Sequence, residues 1–159
     1  MFLYRLFGAF REKKRLLFSL VRIHLLKLHG AKIGKHVRLY GSIYIDGPTR
    51  NLSIGQESII NHNVYINCRD KIQIGKKCNI SSNVQLLTTG LSLDQNRNGE
   101  HESQPISIED SVWVGSNAVL LKGVKIVSGV VIGASSLVNK SIEIRGVYVG
   151  APAKLVKTK

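Results

Sequence analysis

With 159 residues, 43% of them hydrophobic, the chain has room for one domain with a buried core and little for a second. Its 23 Lys and Arg against 10 Asp and Glu leave a formal charge of +13, which calls for an anionic partner: a phosphorylated cofactor, an acidic glycan, an anionic membrane or nucleic acid. Cys68 and Cys78 are too far apart for a C-x-x-C ligand pair and too few for a disulfide framework, which excludes a cysteine-ligated zinc site and fits a reducing cytoplasm.

Residues 1–30 read as a basic amphipathic helical segment. Phe2, Leu3, Leu6, Phe7 and Phe10 recur at helical spacing, and between Gly8 and Gly30 there is neither Gly nor Pro. Arg5, Arg11, Lys13, Lys14, Arg15, Arg22 and Lys27 face only Glu12 in charge. A secretory signal is not expected, and the mostly apolar run from Leu16 to Val21 is too short to span a bilayer. Such a segment either caps the domain with its apolar face or lies on an anionic membrane, which would make a cytoplasmic protein peripheral on the inner face of the membrane.

From residue 31 the period becomes six. Ile108, Val114, Leu120, Ile126, Ile132, Val138 and Ile144 form one unbroken series, and Val112, Ala118, Val124, Val130, Ser136 and Ile142 follow the first six of them by four residues. Tyr148 breaks the second pattern, which we read as a one-residue slip near Val149. Ile33, Leu39 and Ile45 open the series, Ile54, Ile60 and Ile66 continue it, and Ile74, Ile80 and Leu86 resume it after a two-residue slip. One strand and one corner per six residues, three to a coil, give a triangular solenoid in which residues eighteen apart stack about 4.8 Å from one another. Residues 31–159 are therefore predicted to form one β-helix domain. It is interrupted at about 88–105, where the register skips sixteen residues between the position expected at 92 and Ile108.

The stretches PISIEDSVWVGSNAVLLKGVKI, VVIGASSLVNK and GAPAKLVK resemble the hexapeptide-repeat acyltransferases, in the branch that acetylates sugars and surface polysaccharides. The resemblance covers almost everything after residue 30. It implies a left-handed parallel β-helix, a homotrimer, acetyl-CoA as cosubstrate without a metal, and a hydroxyl of a sugar or glycan as acceptor. The glycan would belong to a capsule, an O-antigen or an exopolysaccharide, or would be its precursor.

Gly115, Gly133 and, through the slip, Gly150 are predicted to form a column beside Ser116, Ala134 and Ala151. That stripe either leaves backbone open to a pantetheine arm or satisfies tight corners. By the resemblance, Ser116 and Ala134 meet the arm of the cofactor, while Lys140, Lys154 and Lys157 meet its phosphates. Lys122 and Lys140, eighteen apart, are expected to stack as a cationic ridge. Asn67 and Trp113 are the expected acceptor-side residues.

Acetyl transfer to a hydroxyl requires a base, which in the family is a His opening the excursion. Here that position holds Leu91, or Ser92 when counted back from Pro105. His101, within NGEHESQP, is the replacement candidate, and His62 on a neighbouring coil is an outside one. The rival class is a catalytically inactive member that binds glycan or scaffolds an assembly. A carbonic-anhydrase-like metal site is discounted, because the single H-x4-H pair, His24 and His29, falls in the helical segment. Nucleic acid is discounted as partner because no aromatics interleave with the basic residues of the repeats.

Overall fold

A computed structural model of the chain describes residues 16–92 and 99–158. The helical periodicity of residues 1–15 and the Leu93–Asp94 part of the excursion lie outside the described residues.

The architecture is a left-handed parallel β-helix preceded by one helix over residues 16–28. Its first face stacks Lys32–Ile33, Leu52–Ile54, Ile72–Ile74, Ile106–Ile108 and Lys125–Ile126. The second stacks Arg38–Leu39, Ile59–Ile60, Asn79–Ile80, Trp113–Val114, Val131–Ile132 and Gly146–Val149, and Lys154–Thr158 closes it as an antiparallel strand. The third stacks Ile43–Asp46, Val64–Asn67, Gln85–Leu87, Val119–Leu120 and Leu137–Val138.

Both members of the six-residue pattern point inward. Ile60, Ile80, Leu86, Val114, Leu120, Ile126, Val112, Ala118 and Val130 are all at most 1% exposed, so the prism is filled by side chains along its whole axis. The spacing from first to second face and from second to third is always six, as in Ile33 to Leu39 and Leu39 to Ile45. Every departure falls at the corner from third to first face. Ile45 to Ile54 takes nine residues there, Ile66 to Ile74 eight, Leu86 to Ile108 twenty-two, and Val138 to Ile142 only four.

That last step corrects the predicted end of the series. The column over Ile108 and Ile126 is completed by Ile142, 5% exposed, and Ile144 points out at 59%. Six residues on, Tyr148 takes the inward place over Ile132, and its hydroxyl donates to the Ile144 carbonyl at 2.9 Å. The slip is thus a two-residue shortening at 139–141 rather than one residue at Val149.

Other corners are held by backbone geometry. Asn63, Asn83, Asn117 and Ser135 on one, and His36, Glu57, Lys77 and Ser111 on the other, all have φ between 54° and 61°. One left-handed residue per coil turns the chain through the tight angle. At the N-terminal end the helix packs on the first coil through Ile23 and Leu26, and the buried Ser19 hydroxyl accepts the Leu39 N–H at 2.9 Å.

Candidate active site

The irregular corner gathers the polar side chains. Asn67, 9% exposed, donates from its amide nitrogen to Asp46 Oδ2 at 2.8 Å. Its amide oxygen accepts from the Thr88 hydroxyl at 2.9 Å and the Thr89 hydroxyl at 3.0 Å. Arg69 pairs with Asp46 at 3.4 Å. Beside Asn67, burial pushes the Cys68 thiol up from its ordinary range, so no thiolate nucleophile is offered there.

The excursion opens and closes as a two-stranded antiparallel hairpin, Thr89–Leu91 against His101–Ser103. Its register sets Thr89 opposite Ser103, Gly90 opposite Glu102 and Leu91 opposite His101. Directly opposed residues share a face, and alternate residues point to opposite faces. One face therefore carries Thr89, Ser103, Leu91 and His101, and it is the face turned to Asn67, since the Thr89 hydroxyl reaches both the Asn67 amide and the Ser103 hydroxyl, the latter at 3.1 Å. Leu91 is 58% exposed and His101 is exposed too. Ser92, the other counted position, is 3% exposed, and its N–H donates to the Glu100 carbonyl.

The other face of the hairpin rests on Lys122. Its ammonium pairs with the Glu102 carboxylate and donates to the Leu91 carbonyl at 3.1 Å, and its aliphatic stem lies under Gly90. Register sets Lys122 one coil before Lys140 on this corner, and Lys122 is engaged there by Glu102, so it buttresses the hairpin. Lys140 instead lines a cavity of about 340 Å³ with Asn139, Ser141, Tyr148, Ala153 and Lys154. Lys154 and Lys157 lie on the closing strand, opposite Val149 and Val147. Lys140 sits two coils beyond Thr88 on the same corner, a separation of roughly 10 Å from the strand spacing.

Ser116 and Ala134 lie at a different corner, between second and third faces, where Ala134 is exposed and Ser116 half-buried. The glycine column there is required by the packing of the coils. A Cβ on Gly115 would stand 2.6 Å from the Ala134 nitrogen, and Gly34 and Gly55 are equally pressed by the next coil at the corner from first to second face. The column also ends earlier than predicted, because Gly133 is covered by the Val149 side chain rather than by Gly150. Trp113 is 52% exposed on the second face and donates from its indole nitrogen to the Ser81 hydroxyl at 3.1 Å. Neither strand flanking the excursion belongs to that face, so within one chain Trp113 does not wall the hairpin. His62 packs over Gly41, also away from the hairpin. Asp46, Arg69, Thr89, Ser103 and Lys122 join the site only through register, and the hairpin pairing that gathers most of them has no periodic signal in the sequence.

No protein-family model matches the chain. Galactoside O-acetyltransferase of Escherichia coli (strain K12) is 33% identical over 138 residues, covering 86% of this chain and 68% of that protein. A protein of the same organism named for colanic acid biosynthesis, acetyltransferase WcaF, is 32% identical over 136 residues, covering 86% of this chain and 74% of its own. Among solved structures, the hexapeptide-repeat acetyltransferase VCA0836 of Vibrio cholerae O1 biovar eltor, crystallised with acetyl coenzyme A, superimposes with a TM-score of 0.81 at 29% identity, covering 87% of this chain and 76% of that one. The chain belongs to the hexapeptide-repeat acetyltransferases.

Proposed function

We propose that the protein moves the acetyl group of acetyl-CoA to a hydroxyl of a sugar in a surface glycan or its precursor, with His101 as the base. The observation that carries this is the hairpin register, which sets His101 directly across from Leu91, where the family His would stand, on the face that holds the Thr89 and Ser103 hydroxyls. Acetyl-CoA supplies the thioester acetyl. Lys140 and Lys154, lining one cavity on the same corner, suit its phosphates, with Lys157 next along the strand. Ser116 and Ala134 suit its arm across the third face. The ring nitrogen of His101 takes the acceptor proton as the hydroxyl oxygen attacks the acetyl carbonyl, and the proton then passes to the leaving thiolate. Asn67 and Arg69 line the acceptor side, where the fixed Asp46–Asn67–Thr89–Ser103 bonds hold their positions.

Outward columns support a homotrimer. The first face presents Lys32, Ser53, Gln73, Ser107 and Lys125, whereas the second, after Arg38 in its first coil, presents Ile59, Asn79, Trp113, Val131 and Val147, and the third Tyr44, Tyr65, Gln85, Val119 and Leu137. Two apolar faces meeting at the Ser116–Ala134 corner give each subunit two surfaces to bury, and would bring a neighbour to Trp113 and to the cofactor arm. Sedimentation is expected to give one species of three chains; a stable monomer at micromolar concentration overturns this.

The second reading is an inactive glycan-binding or scaffolding protein, favoured by Leu91 itself. Turnover of acetyl-CoA with a competent glycan acceptor separates the two. His101→Ala should lower turnover by roughly 10²- to 10⁴-fold with acetyl-CoA affinity unchanged, and Leu91→His in that background should restore part of it. Equal rates in wild type and His101→Ala remove His101 as base. Activity in Leu91→His alone makes the natural chain a retired member of its family.

A further inference from the structure

The helix over residues 16–28 is apolar on the side away from the prism as well as on the side toward it. Ser19, Ile23 and Leu26 face the first coil. At 100° per residue Leu17, Val21, Leu25 and Leu28 form the opposite stripe, and they are 61%, 50%, 49% and 68% exposed, with His24 the one polar residue among them. A helix apolar all round belongs in a core or against lipid. No helix among the described residues is long and apolar enough to cross a membrane.

The charge around this stripe points to its occupant. Residues 16–45 contain Arg22, Lys27, Lys32, Lys35 and Arg38 and not one Asp or Glu, and Arg11, Lys13, Lys14 and Arg15 precede them against Glu12 alone. Lys27, Lys35 and Arg38 line the groove where the helix meets the first coil, beside Leu16, Leu20 and Ile23. A second copy would bring the same cations face to face, which is repulsive. We propose that this end of the β-helix docks on an anionic lipid bilayer, the helix lying in the interface with Leu17, Val21, Leu25 and Leu28 among the acyl chains and the cations at the headgroups. The inference does not depend on the acetyl-transfer reading.

The test is flotation of the full chain with phosphatidylcholine vesicles with and without an equal part of phosphatidylglycerol, beside Val21→Glu/Leu25→Glu. Wild type should float with the anionic vesicles and release as salt is raised, with little binding to the neutral ones. The double variant should bind at least about tenfold more weakly and melt, without lipid, at the wild-type temperature, because both positions point away from the core. Three outcomes overturn the proposal: no flotation of wild type, undiminished flotation of the variant, or a lower melting temperature of the variant without lipid, which would show that protein rather than lipid covers the stripe.

Discussion

Two corners of the prism and the third obey different rules. The corners from first to second and from second to third face keep a six-residue step in every coil, with one left-handed residue in each except the last step from Ile142 to Tyr148, and glycines such as Gly34, Gly55 and Gly115 pressed against the next coil's backbone. The corner from third to first face takes nine, eight, twenty-two, six and then four residues, and there the Asp46–Asn67–Thr88 network, the hairpin and Lys140 all lie. The contrast teaches how a repeat fold carries a site. Two corners hold the stack in register, so the third is free to vary in length, and the variable lengths are where side chains of different coils can be gathered.

The largest expected effect breaks this contrast directly. One residue inserted between Ser116 and Asn117 puts the following strand out of phase, turning inward side chains outward, and should abolish cooperative unfolding of the coils beyond it. Two glycines inserted between Asn139 and Lys140 lengthen the corner already variable and should cost about 1 kcal/mol or less. Thermal melts followed by circular dichroism compare the two; equal losses would erase the distinction between corners.

A smaller effect sharpens the account of the variable corner. Lys122→Met leaves the half-buried Glu102 carboxylate without its cation and should cost about 1–2 kcal/mol of stability. If Lys122 positions the hairpin, the substitution should also lower kcat while the KM for acetyl-CoA holds, and Lys122→Arg should recover most of both. Unchanged kcat would confine Lys122 to a structural part.

The smallest effect belongs to the regular corner from first to second face. Glu109 accepts from the Ser128 N–H and hydroxyl, each at 3.1 Å, and pairs with Lys125 at 3.3 Å; these bonds lower its pKa below the usual carboxylate range. The stability it contributes is present at neutral pH and lost as pH falls through that lowered value. Glu109→Gln should flatten the acid limb of a stability profile slightly, and a profile identical to wild type would show the bonds to be without consequence.

The regular corners were legible because a period of six is written in Ile, Val and Leu, and its count also exposed the two-residue slip before Ile74 and the sixteen-residue excursion. What the count missed shares one physical cause. Shortening at Asn139–Ser141 leaves two aliphatics, Ile142 and Ile144, either of which satisfies a hydrophobic pattern, and only backbone pairing selects Ile142. Lys122 and Lys140 obey the eighteen-residue rule in sequence, but the hairpin claims one of them through a carboxylate, Glu102, whose register no periodicity announces. Leu91 and His101 were singled out one by one, and their apposition came only from the pairing of the hairpin.

The closing strand Lys154–Thr158 has a consequence of its own. A stack of parallel strands is an unfinished crystal: its last coil offers unpaired amides and carbonyls that would accept another chain's first coil, and that chain's last coil would accept the next, without limit. By folding back antiparallel onto Gly146–Val149, the segment replaces that growth point on the second face with a reversed, exposed strand whose Lys154 and Lys157 repel a like-charged newcomer, while the helix obstructs the opposite end. The second face of the stack thus finishes in a reversed edge rather than an open parallel one.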